Sequence, residues 1–112
     1  MAGTTIRRPN NGMLYLVGNP TAIGANTLLA ALAADVKIRV YQVSINAVGV
    51  NTLVFKSATT AISPLYSLSD TGGLTLDYSP DGWFETAANE ALNCSLTAAT
   101  PVAILIGYKH TT

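Results

Sequence analysis

The side chains that could carry out acid–base or nucleophilic chemistry are few in this sequence. Its one histidine, His110, stands two residues before the last residue, and its one cysteine, Cys94, lies in an alternating apolar stretch. A nucleophilic site needs a base beside its serine or cysteine, and a zinc site needs three or four ligands. One histidine and one cysteine meet neither requirement. We therefore expect no catalytic residues, no metal site and no cofactor, and a hydrolase is only a minor alternative.

Four acidic residues, Asp77, Asp81, Glu85 and Glu90, fall within fourteen positions. Such a group raises the alternatives of a glycosidase carboxylate pair and of a calcium site. Turn chemistry explains Asp81, and strand alternation places Asp77 and Glu85 at solvent-facing positions. The spacing therefore supports neither an enzyme nor a calcium loop, although a cation held across a subunit contact stays open.

The aromatic residues indicate binding rather than catalysis. Trp83 and Phe84 are adjacent, so a strand sends them to opposite faces, one into the core and one toward a partner. The tyrosines could line a sugar-binding groove, anchor a protein interface or cap the rim of the core. They are Tyr15, Tyr41, Tyr66, Tyr78 and Tyr108. From the whole set we predict Tyr41, Tyr66, Trp83 and Phe84 as interface residues.

The composition favours assembly with other protein surfaces. The chain has 112 residues, which suits one domain. Charged residues make up 11% of it, against about 25% in ordinary soluble domains. The formal net charge is zero, so copies of the chain repel one another weakly. We therefore expect a homo-oligomer.

Nucleic acid and membranes are poor partners for this chain. Arg7 and Arg8 are the one adjacent basic pair, whereas phosphate binding needs a clustered positive patch. The longest apolar runs, residues 28–34 and 102–107, are far shorter than the roughly 20 residues of a membrane span. No apolar segment follows Met1, so we expect synthesis in the cytoplasm.

Short strand-like runs separated by turn residues recur from Met13 onward. The clearest run, residues 37–46, changes the parity of its apolar positions near Tyr41 and Gln42. A β-bulge there would keep both halves facing one core, and a strand buried on both faces is the alternative. Residues 27–32 form a weaker strand, because their leucines and alanines also suit a helical turn.

The second half of the chain has clearer signals for turns and strands. Residues 79–82 read Ser-Pro-Asp-Gly, which predicts a type I turn. Asn89 suits a left-handed conformation, and residues 102–108 read as a continuous apolar and therefore central strand. About eight short strands without a packing helix predict an all-β antiparallel sandwich of the jelly-roll kind. We assign residues 13–112 to this domain and residues 1–12 to an extended N-terminal arm.

From Lys37 to Tyr108 the sequence also resembles a group of small phage virion proteins. The pieces that carry the likeness are Lys37-Ile38-Arg39-Val40, Val54-Phe55-Lys56-Ser57, Thr60-Ala61-Ile62-Ser63, Gly72-Gly73-Leu74, Tyr78-Ser79-Pro80, Gly82-Trp83-Phe84-Glu85-Thr86-Ala87-Ala88 and Glu90-Ala91-Leu92-Asn93. Asn89 stands where the pattern commonly has glycine.

The resemblance implies a jelly-roll-like domain that decorates or cements a bacteriophage capsid. Its expected partners are further copies of itself, in a homotrimer, and the major capsid protein. We expect the arm, especially Ile6, Arg7 and Arg8, to reach onto the shell or onto a neighbouring subunit. The protein would then be made in the host cytoplasm and reside on the capsid exterior. The main alternative is a fibre or tail module that binds host-surface glycans.

Overall fold

A computed structural model describes residues 4–7 and 13–112, with the backbone alone for residues 4–7. These residues form eleven strands and no helix. The strands are β1 (Thr4–Arg7), β2 (Leu14–Gly18), β3 (Gly24–Leu29), β4 (Lys37–Ala47), β5 (Asn51–Ser57), β6 (Thr60–Ala61), β7 (Tyr66–Leu68), β8 (Gly73–Leu76), β9 (Phe84–Glu85), β10 (Leu92–Leu96) and β11 (Val102–Thr111).

The strands make two antiparallel sheets that face each other. The first sheet has the order β1-β2-β11-β4-β8, with β9 also paired to β4. The second has the order β3-β10-β5-β6, with β7 also paired to β5. The chain passes back and forth between the sheets, so β2-β11-β4-β8 and β3-β10-β5-β7 are the two four-stranded layers of a jelly roll. The predicted all-β sandwich is confirmed.

Strand alternation builds the core between the two sheets. In β5 every second residue is buried, beginning with Asn51, and the intervening residues are partly exposed. Phe55 lies at the centre, with its ring 5.0 Å from that of Phe84 and 6.4 Å from that of Tyr66. The other large side chains that are fully enclosed are those of Met13, of Tyr108 and of nine aliphatic residues, namely Leu16, Leu28, Ile38, Val40, Val43, Leu53, Leu92, Val102 and Ile106.

The predicted bulge lies in β4 at Tyr41. Gly107 of β11 pairs with Gln42, but the next residue, Tyr108, pairs with Val40, so Tyr41 is the extra residue. Val40 and Val43 are both fully buried despite their opposite parity. The bulge therefore lets one long strand face the core along its whole length.

A turn at residues 79–82 and a left-handed Asn89 are confirmed, and one strand lies earlier in the chain than predicted. The Gly82 amide donates to the Ser79 carbonyl at 3.0 Å, closing the turn, and Asn89 has a left-handed φ of 57°. The predicted strand over residues 27–32 instead spans Gly24–Leu29. Leu28 fills the core, whereas the alanine-rich segment after Leu29 is largely exposed and crosses to the other sheet. The apolar composition of the segment after Leu29 therefore did not indicate that its side chains are buried.

The N-terminal segment reaches the edge of the first sheet. The backbone of β1 pairs with β2, with Ile6 opposite Tyr15 and Arg7 opposite Leu14. Arg8, like the rest of residues 8–12, lies outside the described residues. The division into an arm and a domain at residue 12 stays a prediction.

β11 supplies a direct test of the sandwich, because two adjacent residues face opposite ways. Ile106 is fully buried, and Leu105 is 39% exposed. We expect Ile106→Ala to lower the free energy of unfolding by about 2–5 kcal/mol, and the matched Leu105→Ala control by less than about 1 kcal/mol. Urea denaturation measures both, and equal losses would contradict the assigned inner face of β11.

Candidate functional site

Four connecting loops gather at one end of the sandwich, which we call the loop end. They comprise residues 19–23, 48–50, 69–72 and 97–101. Backbone hydrogen bonds join them: the Val48 amide donates to the Pro101 carbonyl at 3.1 Å, and the Val102 amide donates to the Pro20 carbonyl at 3.2 Å. The Ala47 amide likewise donates to the Gly72 carbonyl at 2.8 Å. The loops thus form one connected surface.

The loop end presents apolar side chains to the outside. Ile23 is 66% exposed, Val48 63% and Val50 69%. Within the four loops Asp70 is the one charged residue. Several large exposed aliphatic side chains at one nearly uncharged end of a molecule are typical of a contact site for another molecule.

Two buried asparagines hold these loops in place. The Asn51 side-chain amide donates to the carbonyls of Ala98 and Thr100 and to the Thr100 hydroxyl, at 2.9–3.2 Å. Its Oδ1 accepts from the amides of Thr52, Thr97 and Ala98. Since each buried polar group gains a partner, the loop of residues 97–101 is tied firmly to β5.

Asn26 acts in the same way on the loop that carries Ile23. Its side-chain amide donates to the Ala22 carbonyl at 2.9 Å and to the Gly24 carbonyl at 3.1 Å. Gly24 has a φ of 89°, a conformation that side chains rarely adopt. Ile23 is therefore presented by a turn with a fixed geometry.

An ion-pair cluster lies toward the opposite end of the first sheet. Glu85 accepts a hydrogen bond from Arg39 Nε at 2.8 Å and one from the Thr111 hydroxyl at 2.7 Å, and Lys37 Nζ lies 3.9 Å away. Burial opposes ionisation of Glu85, but the hydrogen bonds from Thr111 and Arg39 and the two positive charges outweigh it and lower its pKa. The cluster ties β4, β9 and the end of β11 together.

A cleft of about 320 Å³ opens on the outer face of the first sheet, beside the bulge. Its lining is Met13, Tyr15, Gln42, Tyr78 and Lys109. The Tyr78 ring stacks on the Tyr41 ring at 6.0 Å, and Lys109 Nζ lies 5.4 Å from the centre of the Tyr41 ring. Aromatic faces beside amide, hydroxyl and ammonium groups can hold a small polar ligand.

The predicted interface residues do not form one surface. Trp83 is 48% exposed, with its indole N–H donating to the Asp77 carbonyl, and it points away from the core. Phe84 and Tyr66 pack against Phe55, and Tyr41 is 7% exposed beneath Tyr78. Trp83 and Phe84 thus face opposite sides, as expected. Whether any of the four contacts a partner stays a prediction, as does the role of Ile6, Arg7 and Arg8.

The remaining reactive groups show structural roles. Ser57 donates to the Glu90 carboxylate and accepts from the Ala87 amide, so its hydroxyl ties two segments together. Burial raises the pKa of the Cys94 thiol to about 12. In residues 13–112 no three His, Cys, Asp or Glu side chains are grouped to hold a metal ion. Nor does this part of the chain contain a helix long and apolar enough to cross a membrane.

Comparison of the chain with protein-family models, with curated proteins and with solved structures gives no match. The likeness to phage virion proteins therefore stays a prediction.

The loop end was not foreseen as a site, although its signal is present in the sequence. Ile23, Val48 and Val50 are β-branched apolar residues inside turn segments, where polar residues are usual. Which loops share an end depends on the strand order, so the sequence could not show that Ile23 and Val48 belong to one surface.

The hydrogen bonds of Asn51 predict a large effect from a small change at the loop end. We expect Asn51→Ala to lower the free energy of unfolding by about 2–4 kcal/mol, because it removes a buried side-chain amide and leaves its backbone amide and carbonyl partners unpaired. Asn46→Ala, at an exposed position of β4, is the matched control and should change it by less than about 0.5 kcal/mol. Equal values in urea denaturation would contradict the role of Asn51.

The Glu85 cluster predicts a pH dependence of stability. A carboxyl whose pKa is lowered by folding stabilises the fold fully above its ordinary value of 4.5, and this contribution is lost as the pH falls through the folded pKa. The stability advantage of the wild type over Glu85→Gln should therefore be present at pH 7 and vanish in acid. Asp81→Asn, in an exposed turn, is the control. Urea denaturation measures the difference in unfolding free energy between the wild type and Glu85→Gln. If this difference is the same at pH 7 and at pH 3, the prediction is contradicted.

Proposed function

We propose that this protein is a structural subunit of a phage virion that decorates the exterior of the capsid and cements neighbouring capsid proteins. The observation that carries the proposal is the loop end, where Ile23, Val48 and Val50 are exposed on a nearly uncharged surface held by buried asparagines. A surface of this kind works through contact area rather than through chemistry.

A cement subunit stabilises a shell by binding only the assembled form. Separating two capsid proteins then also requires breaking the contacts with the bridging subunit. By mass action, a ligand at 100 times its Kd stabilises the state it binds by about 2.7 kcal/mol. A compact sandwich with little charge suits this role, because it can pack closely against a shell without strong repulsion.

Self-association is the second part of the proposal, with a trimer as the expected form. The outer face of the first sheet near the loop end has a shallow groove lined by Val17, Ser44, Asn46, Ala103 and Leu105. The groove contains apolar and neutral polar side chains, so two copies could meet there without opposing like charges. Cyclic symmetry closes such an assembly and gives each copy its own contact with the shell.

One observation favours a second candidate function, the binding of host-surface glycans by a fibre or tail module. The cleft beside Tyr78 combines an exposed aromatic ring with Gln42 and Lys109, which can donate hydrogen bonds to sugar hydroxyl or carboxylate groups. The cleft is small, and binding there would require no assembly.

Binding to heads distinguishes the two functions. We expect the purified protein to co-sediment saturably with heads of the parent phage that lack it, and to raise the temperature at which those heads open. A glycan array probed with the free protein should show no binding. Binding to glycans that Tyr78→Ala abolishes, without binding to heads, would replace the cement function by the glycan function. Leu65→Ala, which removes an exposed side chain elsewhere, is the control.

A further inference from the structure

Charged side chains are scarce at the loop end, which holds three of the five large aliphatic side chains that are exposed in residues 13–112. β4 runs from Lys37 near one end to Ala47 at the loop end, and the four loops beyond it contain only Asp70 among charged residues. The other charged residues in positions 13–112 lie on the far half of the strands or in the loops of the opposite end. They are Asp35, Lys37, Arg39, Lys56, Asp77, Asp81, Glu85, Glu90 and Lys109.

The loop end is also joined by internal hydrogen bonds that form without any partner. Asn51 and Asn26 fix two of its loops through their side-chain amides, and Val48 is anchored through its backbone amide to Pro101. A surface that is already ordered loses little conformational entropy on binding. The exposed aliphatic groups can therefore contribute their burial directly to affinity.

A lipid surface does not match the residues of the loop end. Proteins that bind the membrane interface use lysine and arginine toward the head groups and tryptophan, tyrosine or phenylalanine at the boundary. Residues 19–23, 48–50, 69–72 and 97–101 contain none of these. Apart from Asp70, these loops consist of valine, isoleucine, alanine, proline, glycine and small neutral polar residues, which suits an apolar protein surface.

A second copy bound end to end does not match the size of the loop end. The molecule measures 36 × 28 × 22 Å, and β4 alone extends along roughly 33 Å. The strands thus run along the 36 Å dimension of the molecule, and the end face is bounded by the 28 Å and 22 Å dimensions. A stable pair of proteins buries about 800 Å² of accessible surface on each partner. A face of 28 by 22 Å covers about 600 Å² in projection, so two copies joined only at this end would share a small interface. A contact of this size is strong only where several subunits bind together.

From these observations we propose that the loop end binds an apolar, uncharged protein surface that is repeated many times on a larger assembly. This inference rests on the proposed function, under which the assembly is the capsid shell and Ile23, Val48 and Val50 are the contact residues. The charged half then faces away from the shell, and the groove near Leu105 stays available for neighbouring copies.

The test places charges on the contact residues. We expect Val48→Asp with Val50→Asp to weaken co-sedimentation with purified heads that lack this protein at least tenfold, since carboxylates would lose water against an apolar partner. Leu65→Asp is the matched control, because Leu65 is 61% exposed at the edge of the second sheet, outside the loop end. It should bind like the wild type. If the aspartates impair folding in urea denaturation, Val48→Thr with Val50→Thr keeps the shape and should weaken binding several-fold.

Each outcome decides between the proposals. Heads that fail to bind the wild type overturn both the cement function and this inference. Wild type and doubly substituted protein that bind equally well overturn this inference alone and leave the cement function standing. If the native mass of the protein falls on substitution, the loop end binds a second copy of the chain. If the wild type floats with phosphatidylcholine vesicles, the loop end binds lipid. Either of those results also overturns the inference.

Discussion

Burial of alternate side chains between two antiparallel sheets is the interaction on which the rest of the structure depends. With few charged residues and no disulfide, the fold gains its stability from aliphatic and aromatic groups that meet across the sandwich, centred on Phe55 and Phe84. The bulge at Tyr41 serves this burial, because it allows Ile38 and Val40 to share the core with Val43 and Ile45. Every surface discussed above is a consequence of which residues this packing leaves outside.

The loop end carries one charged residue, Asp70, whereas the other charged residues of positions 13–112 lie farther along the sandwich, and the two regions are built differently. The charged half is joined by ion pairs and hydrogen bonds around Glu85. The loop end instead uses the amide groups of buried asparagines to fix loops whose outward residues are aliphatic. Buried polar groups stabilise a fold only when they are fully paired. Because the Asn26 and Asn51 amides find their partners in only one arrangement of the loops, they give the loop end a defined shape.

Several elements were predictable because they depend on local pattern alone. The turn at residues 79–82, the left-handed Asn89 and the alternation of Leu92, Cys94 and Leu96 all follow from residue type and the two-residue period of a strand. The boundaries of β3 were less predictable, because alanine and leucine after Leu29 have no periodicity that distinguishes a crossing loop from a buried strand. β11 was correctly predicted as central, yet its apolar run concealed that Ala103 and Leu105 face outward.

The sequence by itself determined the all-β class, the approximate places of the strands and the scarcity of reactive side chains. It also marked the parity change near Tyr41, which either a bulge or a strand buried on both faces could explain. These properties depend on composition and on contacts between near neighbours in the chain. Only the tertiary structure decided that residues 19–23, 48–50, 69–72 and 97–101 meet at one end, and that Tyr15, Gln42 and Tyr78 line one cleft. The physical reason is that strand order joins residues far apart in the chain, and no local pattern encodes which strands become neighbours.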